Sequence, residues 1–341
     1  MCQQALEIHF WMLIKDACLE KNIFCGFLFS NEMKKKGIFY NSPYAVCSIH
    51  ASGRMCFDCL KTSTLYDLDY TESQNFAWHY DFLILNQHFT TCNWITKEHL
   101  KKYVGKTFCI VTEVTFVGNP IAKCPDFFQH YIVLDPTVVE TDKIHAFPRP
   151  LVGESKASIL QIKNQAGEQS PVIGSFGFAT PGKQWHEIVE ATQNEFDTAF
   201  IRFNICRATH VPPHIQNIEA IRTRCHGLIR KPGIRLEITT HHLSEQQLLD
   251  WCAENTVNCF FYKREHLFTA GLAAVTDQAI ASKRPLLVTK DPTFRHILVY
   301  LKPWPELSLR EAIRTTKPIV DRICEEWSAA KFLAKFENLL L

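Results

Sequence analysis

Residues 269–297, TAGLAAVTDQAIASKRPLLVTKDPTFRHI, decide how this chain folds. Leu272, Val275, Ala279 and Ile280 recur at helical spacing, and Ala and Gln, both good helix formers, fill the other positions. Residues 281–284 (ASKR) end the helix with cations at the negative end of its dipole, and Pro285 cannot continue it. Residues 285–289 (PLLVT) are then an apolar run of the length of a buried parallel strand, and Asp291-Pro292 turns the chain after it. Helix, tight turn and buried strand make the crossover unit of a parallel sheet, so an α/β fold is expected.

The same rhythm runs backwards through the second half. Residues 172–176 (VIGSF), 198–204 (TAFIRFN), 234–239 (IRLEIT) and 258–262 (NCFFY) read as strands. Helices are expected over 185–192 and 215–225, and from Ser244, which with Gln247 three residues later forms a capping box, to about Ala253. Residues 310–334 read as long and helical, broken at Pro318. Residues 151–170, ending in QAGEQS, are polar and suit a linker.

The first half alternates too. Residues 44–49 (YAVCSI) are expected to be a strand, followed by the loop His50-Ala51-Ser52-Gly53 and a helix over 54–62. Further strands are expected at 81–85 (DFLIL), at 108–114 (FCIVTEV, with Glu113 near its end) and at 131–134 (YIVL). Residues 24–30 suit a strand and 32–37 a basic turn, within a segment 1–43 whose role the pattern leaves open. The chain therefore divides into an extension (1–43), a first Rossmann-like domain (44–155) and a second (156–341) ending in closing helices. Each domain is expected to be a doubly wound parallel sheet with its crevice at the carboxyl ends of the strands.

Composition bounds the function. The chain has 341 residues, enough for two cores, with 46% hydrophobic and 21% charged residues, so it is globular rather than disordered. A net charge of +2 gives no bulk argument for nucleic acid. No apolar run reaches the ~18 residues a membrane span needs, and the early apolar run, residues 8–14, lacks the basic flank of a signal peptide. A cytoplasmic protein is expected, with peripheral attachment to a membrane surface left open. Among 14 cysteines the pair Cys56 and Cys59 forms a C-x-x-C, but no second pair stands at zinc-ligand spacing. The pair is therefore read as buried packing rather than as redox or metal chemistry.

Three blocks in order carry a resemblance over roughly 120 residues: VIGSFGFATPGKQWHEIVEA, LSEQQLLDWCAENTVNCFFY and the cadence from Asp277 to Pro285. Together they resemble the donor-binding half of the GT-B glycosyltransferases, of the retaining, glycogen-synthase-like (glycosyltransferase group 1) type. The resemblance implies two facing Rossmann-like domains and transfer of a sugar, of hexosyltransferase type, from a nucleotide-diphosphate sugar to an acceptor that the sequence does not name. It implies no cofactor and no metal.

In the family the cadence carries two glutamates eight positions apart. Here the second falls on Asp277, a carboxylate suited to two ribose hydroxyls, and the first on Thr269, so the acidic motif is degenerate. Glu265 lies just upstream as a possible substitute, and Thr269 and Gly271 occupy the turn expected to meet the transferred sugar. Lys183 matches the cation on the donor diphosphate, without the arginine that usually accompanies it. Ser175 and Gly177 suit a close backbone approach by the donor. On the acceptor side, His50 and Glu113 are candidates for acid–base work, and Ser52 and Gly53 for the loop beside them. Each of these residues also has an ordinary structural role open to it. The competing functions are a GT-B-like binding or scaffold protein without turnover, and a different doubly wound protein such as an epimerase or a flavodoxin-like regulator.

Overall fold

The computed structural model describes residues 34–43, 48–77, 79–88, 92, 94–101, 103–114, 119–151, 153, 170–180, 182–208, 212–263 and 271–341. Two parallel sheets organise them. The first has six strands: β1 (Lys35–Tyr40), β2 (Tyr66–Thr71), β3 (Phe82–Gln87), β4 (Lys106–Val111), β5 (His130–Val133) and β6 (Ile144–Ala146). Their spatial order is β2-β1-β3-β4-β5-β6. The helices α1 (Ser48–Leu60) and α2 (Lys97–Lys101) belong to this lobe.

The second sheet holds β7 (Val172–Phe178), β8 (Ala199–Cys206), β9 (Ile234–Thr239), β10 (Val257–Phe260) and β11 (Leu286–Val288) in the order β11-β10-β7-β8-β9. Its crossovers are α3 (Trp185–Glu195), α4 (Ile218–Gly227), α5 (Glu245–Ala253) and α6 (Val275–Ala281). The short α7 (Arg295–Leu298) follows β11, and α8 (Leu309–Thr315), α9 (Lys317–Glu326) and α10 (Ala329–Leu340) end the sequence. Every strand pair of defined register is parallel. The expected doubly wound α/β class, with two sheets, is what the chain adopts.

Strand position explains strand composition. All six residues of β3 are buried, as a central strand covered on both faces requires. β9, at an edge, buries only Ile234, and the residues after it are half-buried or exposed. The capping box expected at Ser244 is present: its side chain accepts from Gln247 N while Gln247 reaches back to the Ser244 backbone.

Three expectations change. The lobe's first strand is β1, in part of the stretch read as a basic turn, so the sheet begins inside the segment 1–43 set apart as an extension. Lys35 and Lys36 are exposed while the last four residues of β1 are buried, so the two lysines mask a strand whose apolar part is only Ile38-Phe39-Tyr40. Within the expected strand 44–49, Ser48 and Ile49 instead open α1, and residues 44–47 lie outside the described residues, as do 24–30. Finally, 310–334 is three helices rather than one broken at Pro318, which sits in the first turn of α9.

The last helix crosses back to the first lobe. Phe332, Phe336 and Leu340 of α10 share a core with Phe39, Phe82, Phe108 and Phe147. The Phe336 ring lies 5.0 Å from that of Phe108, and Phe332 lies 5.0 Å from Phe147. Ser63 Oγ donates to Glu337 at 2.6 Å, and Lys106 Nζ to the Leu340 carbonyl at 2.8 Å. An amphipathic helix needs an apolar surface, and the face of the first sheet supplies it.

Candidate functional site

The carboxyl ends of parallel strands are where α/β folds place ligands, and the strand-end loops of the two sheets meet. Gly271, just before α6, lies so close to the loop after β4 that a Cβ there would stand 2.8 Å from the Thr112 carbonyl and 3.7 Å from Glu113 Cγ. Arg295 of α7 reaches Asp135, after β5, with Nε 2.6 Å from Oδ2. Arg149, in the segment leaving the first lobe, donates from Nη1 to the Leu272 carbonyl at 3.3 Å.

Gly177, at the end of β7, has φ +139°, a conformation that L side chains rarely adopt. A Cβ there would lie 2.5 Å from Lys183 Nζ and 3.4 Å from Val275 Cγ1, so Gly177, Lys183 and the start of α6 converge on one spot. The Lys183 ammonium is 5.5 Å from the Tyr262 ring centroid and 5.9 Å from those of Phe178 and Trp185. These π faces hold the cation in place. Ser175, by contrast, is 2% exposed inside β7 and is part of the sheet interior.

Asp277 is buried in the first turn of α6, and its Oδ2 pairs with Arg149 Nε at 2.7 Å. Burial raises its pKa to about 6, and the Arg149 guanidinium pulls the other way. On α6 the side chain two residues beyond Val275 is turned by about 200°. The carboxylate therefore leaves the helix on a different side from the Lys183 spot, and a ligand touching both must cross the first turn of α6. That side opens into a cavity of about 450 Å³ lined by Met55 of α1, Leu151 between the lobes, the α5 N-cap Ser244, Leu249 of α5, and Asp277 and Ala281 of α6. Its volume suits a small-molecule ligand of the usual size, about 300–1,000 Å³.

On the first lobe, His50 is in the first turn of α1 rather than in a loop, and its Nε2 lies 2.9 Å from Glu72 Oε1. The His50 contact, then the Tyr70 hydroxyl at 2.7 Å, keep Glu72 below the usual carboxylate range. Asn41, at the end of β1, donates to the His50 carbonyl, and Asn86, at the end of β3, donates to Asn41 Oδ1 at 2.8 Å and to the Ile49 carbonyl at 2.8 Å. Gly53 makes this possible, because a Cβ would stand 2.2 Å from Asn86 Nδ2 and 2.5 Å from Asn41 Oδ1. Ser52 is buried beside it. Glu113 follows β4, 3.4 Å from His88 Nε2 and 3.7 Å from Lys123 Nζ. The His88 contact lowers its pKa, opposite to the raised value a general base requires.

Glu265 and Thr269 lie outside the described residues. Sequence reasoning missed Arg149, Glu72 and Met55. An arginine between two prolines in the otherwise apolar AFPRPLV was the available signal for Arg149, whereas Glu72 and Met55 look like ordinary surface and core residues. Among the described residues, no three His, Cys, Asp or Glu side chains gather to hold a metal ion. Cys56 and Cys59 are buried in α1. Cys59 Sγ donates to the Ala329 carbonyl at 3.1 Å and burial pushes its pKa up to about 12, so the pair packs rather than reacts.

No protein-family model matches the sequence, and no curated protein matches it. Solved structures do match. The Anabaena HepE protein, solved with UDP and glucose, aligns with TM-score 0.55 at 10% identity, covering 90% of this chain and 99% of its own. The lipopolysaccharide outer core galactosyltransferase WaaB, in its apo form, gives 0.56 at 10% identity over 89% and 98%. An α-glucosyltransferase solved with UDP-glucose and DNA containing an abasic site gives 0.52 at 10% identity over 89% and 98%. The fold is GT-B. In this GT-B chain, α10 belongs to the core of the first lobe, and the segment that carries Arg149 joins the lobes beside α6. No helix among the described residues is long and apolar enough to cross a membrane.

Proposed function

We propose that this protein is a glycosyltransferase that moves a sugar from a nucleoside-diphosphate sugar to an acceptor bound on the first lobe. The observation that carries this reading is the cavity of about 450 Å³ where α1, the interlobe segment, α5 and α6 meet, in a GT-B fold. It offers a nucleoside an apolar wall of Met55, Leu151, Leu249 and Ala281, with polar groups at Ser244 and Asp277. Asp277 Oδ2 is engaged by Arg149, so the ribose hydroxyls are assigned to the other carboxylate oxygen rather than to a two-oxygen grip.

The diphosphate is assigned to the Lys183 ammonium across the first turn of α6. A cation there stabilises the charge that develops on the leaving group as the glycosidic bond breaks. His50, oriented by ionised Glu72, is the group assigned to the acceptor hydroxyl. It stands five residues before Met55, about 7.5 Å along α1. No cofactor enters this reading. Ten described cysteines, all free, suit a reducing compartment such as the cytoplasm.

The test is calorimetric titration with UDP, GDP and their hexose conjugates, followed by sugar release with each conjugate that binds. Met55→Trp, which fills the cavity, should abolish binding while leaving the fold intact by circular dichroism. Binding unaffected by Met55→Trp would place the nucleotide elsewhere. The competing reading, a binder without turnover, rests on Thr269 in place of an acid. Tight binding with no sugar release, even with acceptors supplied, would favour it.

A further inference from the structure

A second cavity, of about 550 Å³, lies on the first lobe, lined by Gln74, Asn75 and Phe76 from the segment between β2 and β3, and by Trp94 and His99. We propose that it is the acceptor subsite and that it takes a neutral glycosyl unit. This rests on the transferase reading above and adds the chemical class of the acceptor.

The aromatic lining is held in place before any ligand arrives. Tyr40, the last residue of β1, is fully buried, and its hydroxyl accepts from Trp94 Nε1 at 3.2 Å. Its ring meets the Trp94 ring edge-on at 5.1 Å and the Phe76 ring at 6.3 Å. Phe76 and Trp94 stand 6.2 Å apart, nearly perpendicular, and Trp94 and His99 stand 5.9 Å apart. Asn75 and Gln74 are exposed at the rim, where their amides present donors and acceptors. His99 Nδ1 accepts from Thr96 N at 3.2 Å, which leaves Nε2 as the ring nitrogen that donates.

Flat, immobilised rings beside uncharged donors and acceptors match a sugar, whose ring has apolar C–H faces and a rim of hydroxyls. A polyanion would need lysines or arginines for its phosphates. The described lining residues include neither, which argues against a nucleic acid. The position is also right. Tyr40 is at the carboxyl end of β1, and the next residue, Asn41, bonds the His50 carbonyl. Gln74 follows by two residues the Glu72 that holds His50. A sugar stacked here therefore lies on the same edge of the sheet as the group assigned to its hydroxyl.

The experiment titrates the full chain with maltotriose, cellotriose and N,N′,N″-triacetylchitotriose, with an oligothymidylate and choline in parallel. Binding is read by tryptophan fluorescence and saturation-transfer NMR. At least one trisaccharide should bind. Asn75→Ala, which removes only an exposed amide, should weaken that binding on the order of tenfold, and Trp94→Ala should abolish it. Affinity for UDP should stay unchanged in Asn75→Ala. Trp94→Phe serves as a control for folding, since it keeps a ring in place. No response to any of the three sugars, or oligothymidylate or choline binding in their place, overturns the proposal. UDP binding without sugar binding refutes this subsite alone, whereas sugar binding without any nucleotide binding refutes the transferase reading and leaves the cavity a glycan site.

Discussion

Removing one member of the Arg149–Asp277 pair should cost far more than removing both. The side chains are 5% and 4% exposed, so a single deletion leaves a charge buried without its partner. Breaking such a pair costs about 3–5 kcal/mol, whereas replacing both partners with apolar groups of similar size is close to neutral. Arg149→Met and Asp277→Leu should therefore each lose roughly that amount, with the double variant falling within about 1 kcal/mol of the parent. The pH dependence supplies a second signature. Asp277 rises from its ordinary 3.8 to about 6 because burial disfavours its charge. The folded protein thus holds a proton that the unfolded chain releases. This group favours folding fully below about pH 4 and loses that contribution as pH climbs to about 6, a change of about 3 kcal/mol. Asp277→Leu should lack that slope. Urea denaturation at a series of pH values, with m-values compared among variants, measures both effects. Single variants that each lose under about 1 kcal/mol and add in the double variant would show that water reaches the pair, and the argument from burial would fall.

Gly53→Ala should destabilise the first lobe by about 1–3 kcal/mol, because the added methyl meets Asn86 and Asn41 in a buried network. Thermal unfolding measures this, and an unchanged midpoint would refute the close approach. Phe336→Ala should cost about 3–5 kcal/mol, since α10 supplies core to the sheet at the other end of the sequence; a loss below 1 kcal/mol by denaturation would mean that α10 is not anchored there. Lys183→Ala should weaken UDP binding on the order of tenfold or more with little change in melting temperature, and calorimetry showing equal affinity would remove Lys183 from the diphosphate.

Much of the architecture was legible because its cause is local. The apolar runs that became β3, β8 and β11, the Ser244–Gln247 cap and the helix stop before Pro285 are set by burial and backbone chemistry within a few residues. β1 was missed because Lys35 and Lys36 disguise a strand only three apolar residues deep. Lys183, Gly177 and Gly271 were named through the resemblance to the GT-B family, and each stands at a strand end or loop where side chains from distant elements gather. Asp277 was named as well, but its salt bridge was not foreseen, since Arg149 lies more than a hundred residues away in sequence.

The sequence by itself determined the alternation of short buried strands and amphipathic helices, and hence two parallel sheets, because hydrophobic period and turn chemistry act over a few residues. Only the tertiary structure decided where the last helix goes, which carboxylates are paired, and which residues wall the two cavities. Those outcomes depend on apolar faces and charges that meet across the fold, and no long-range partner is written in local sequence.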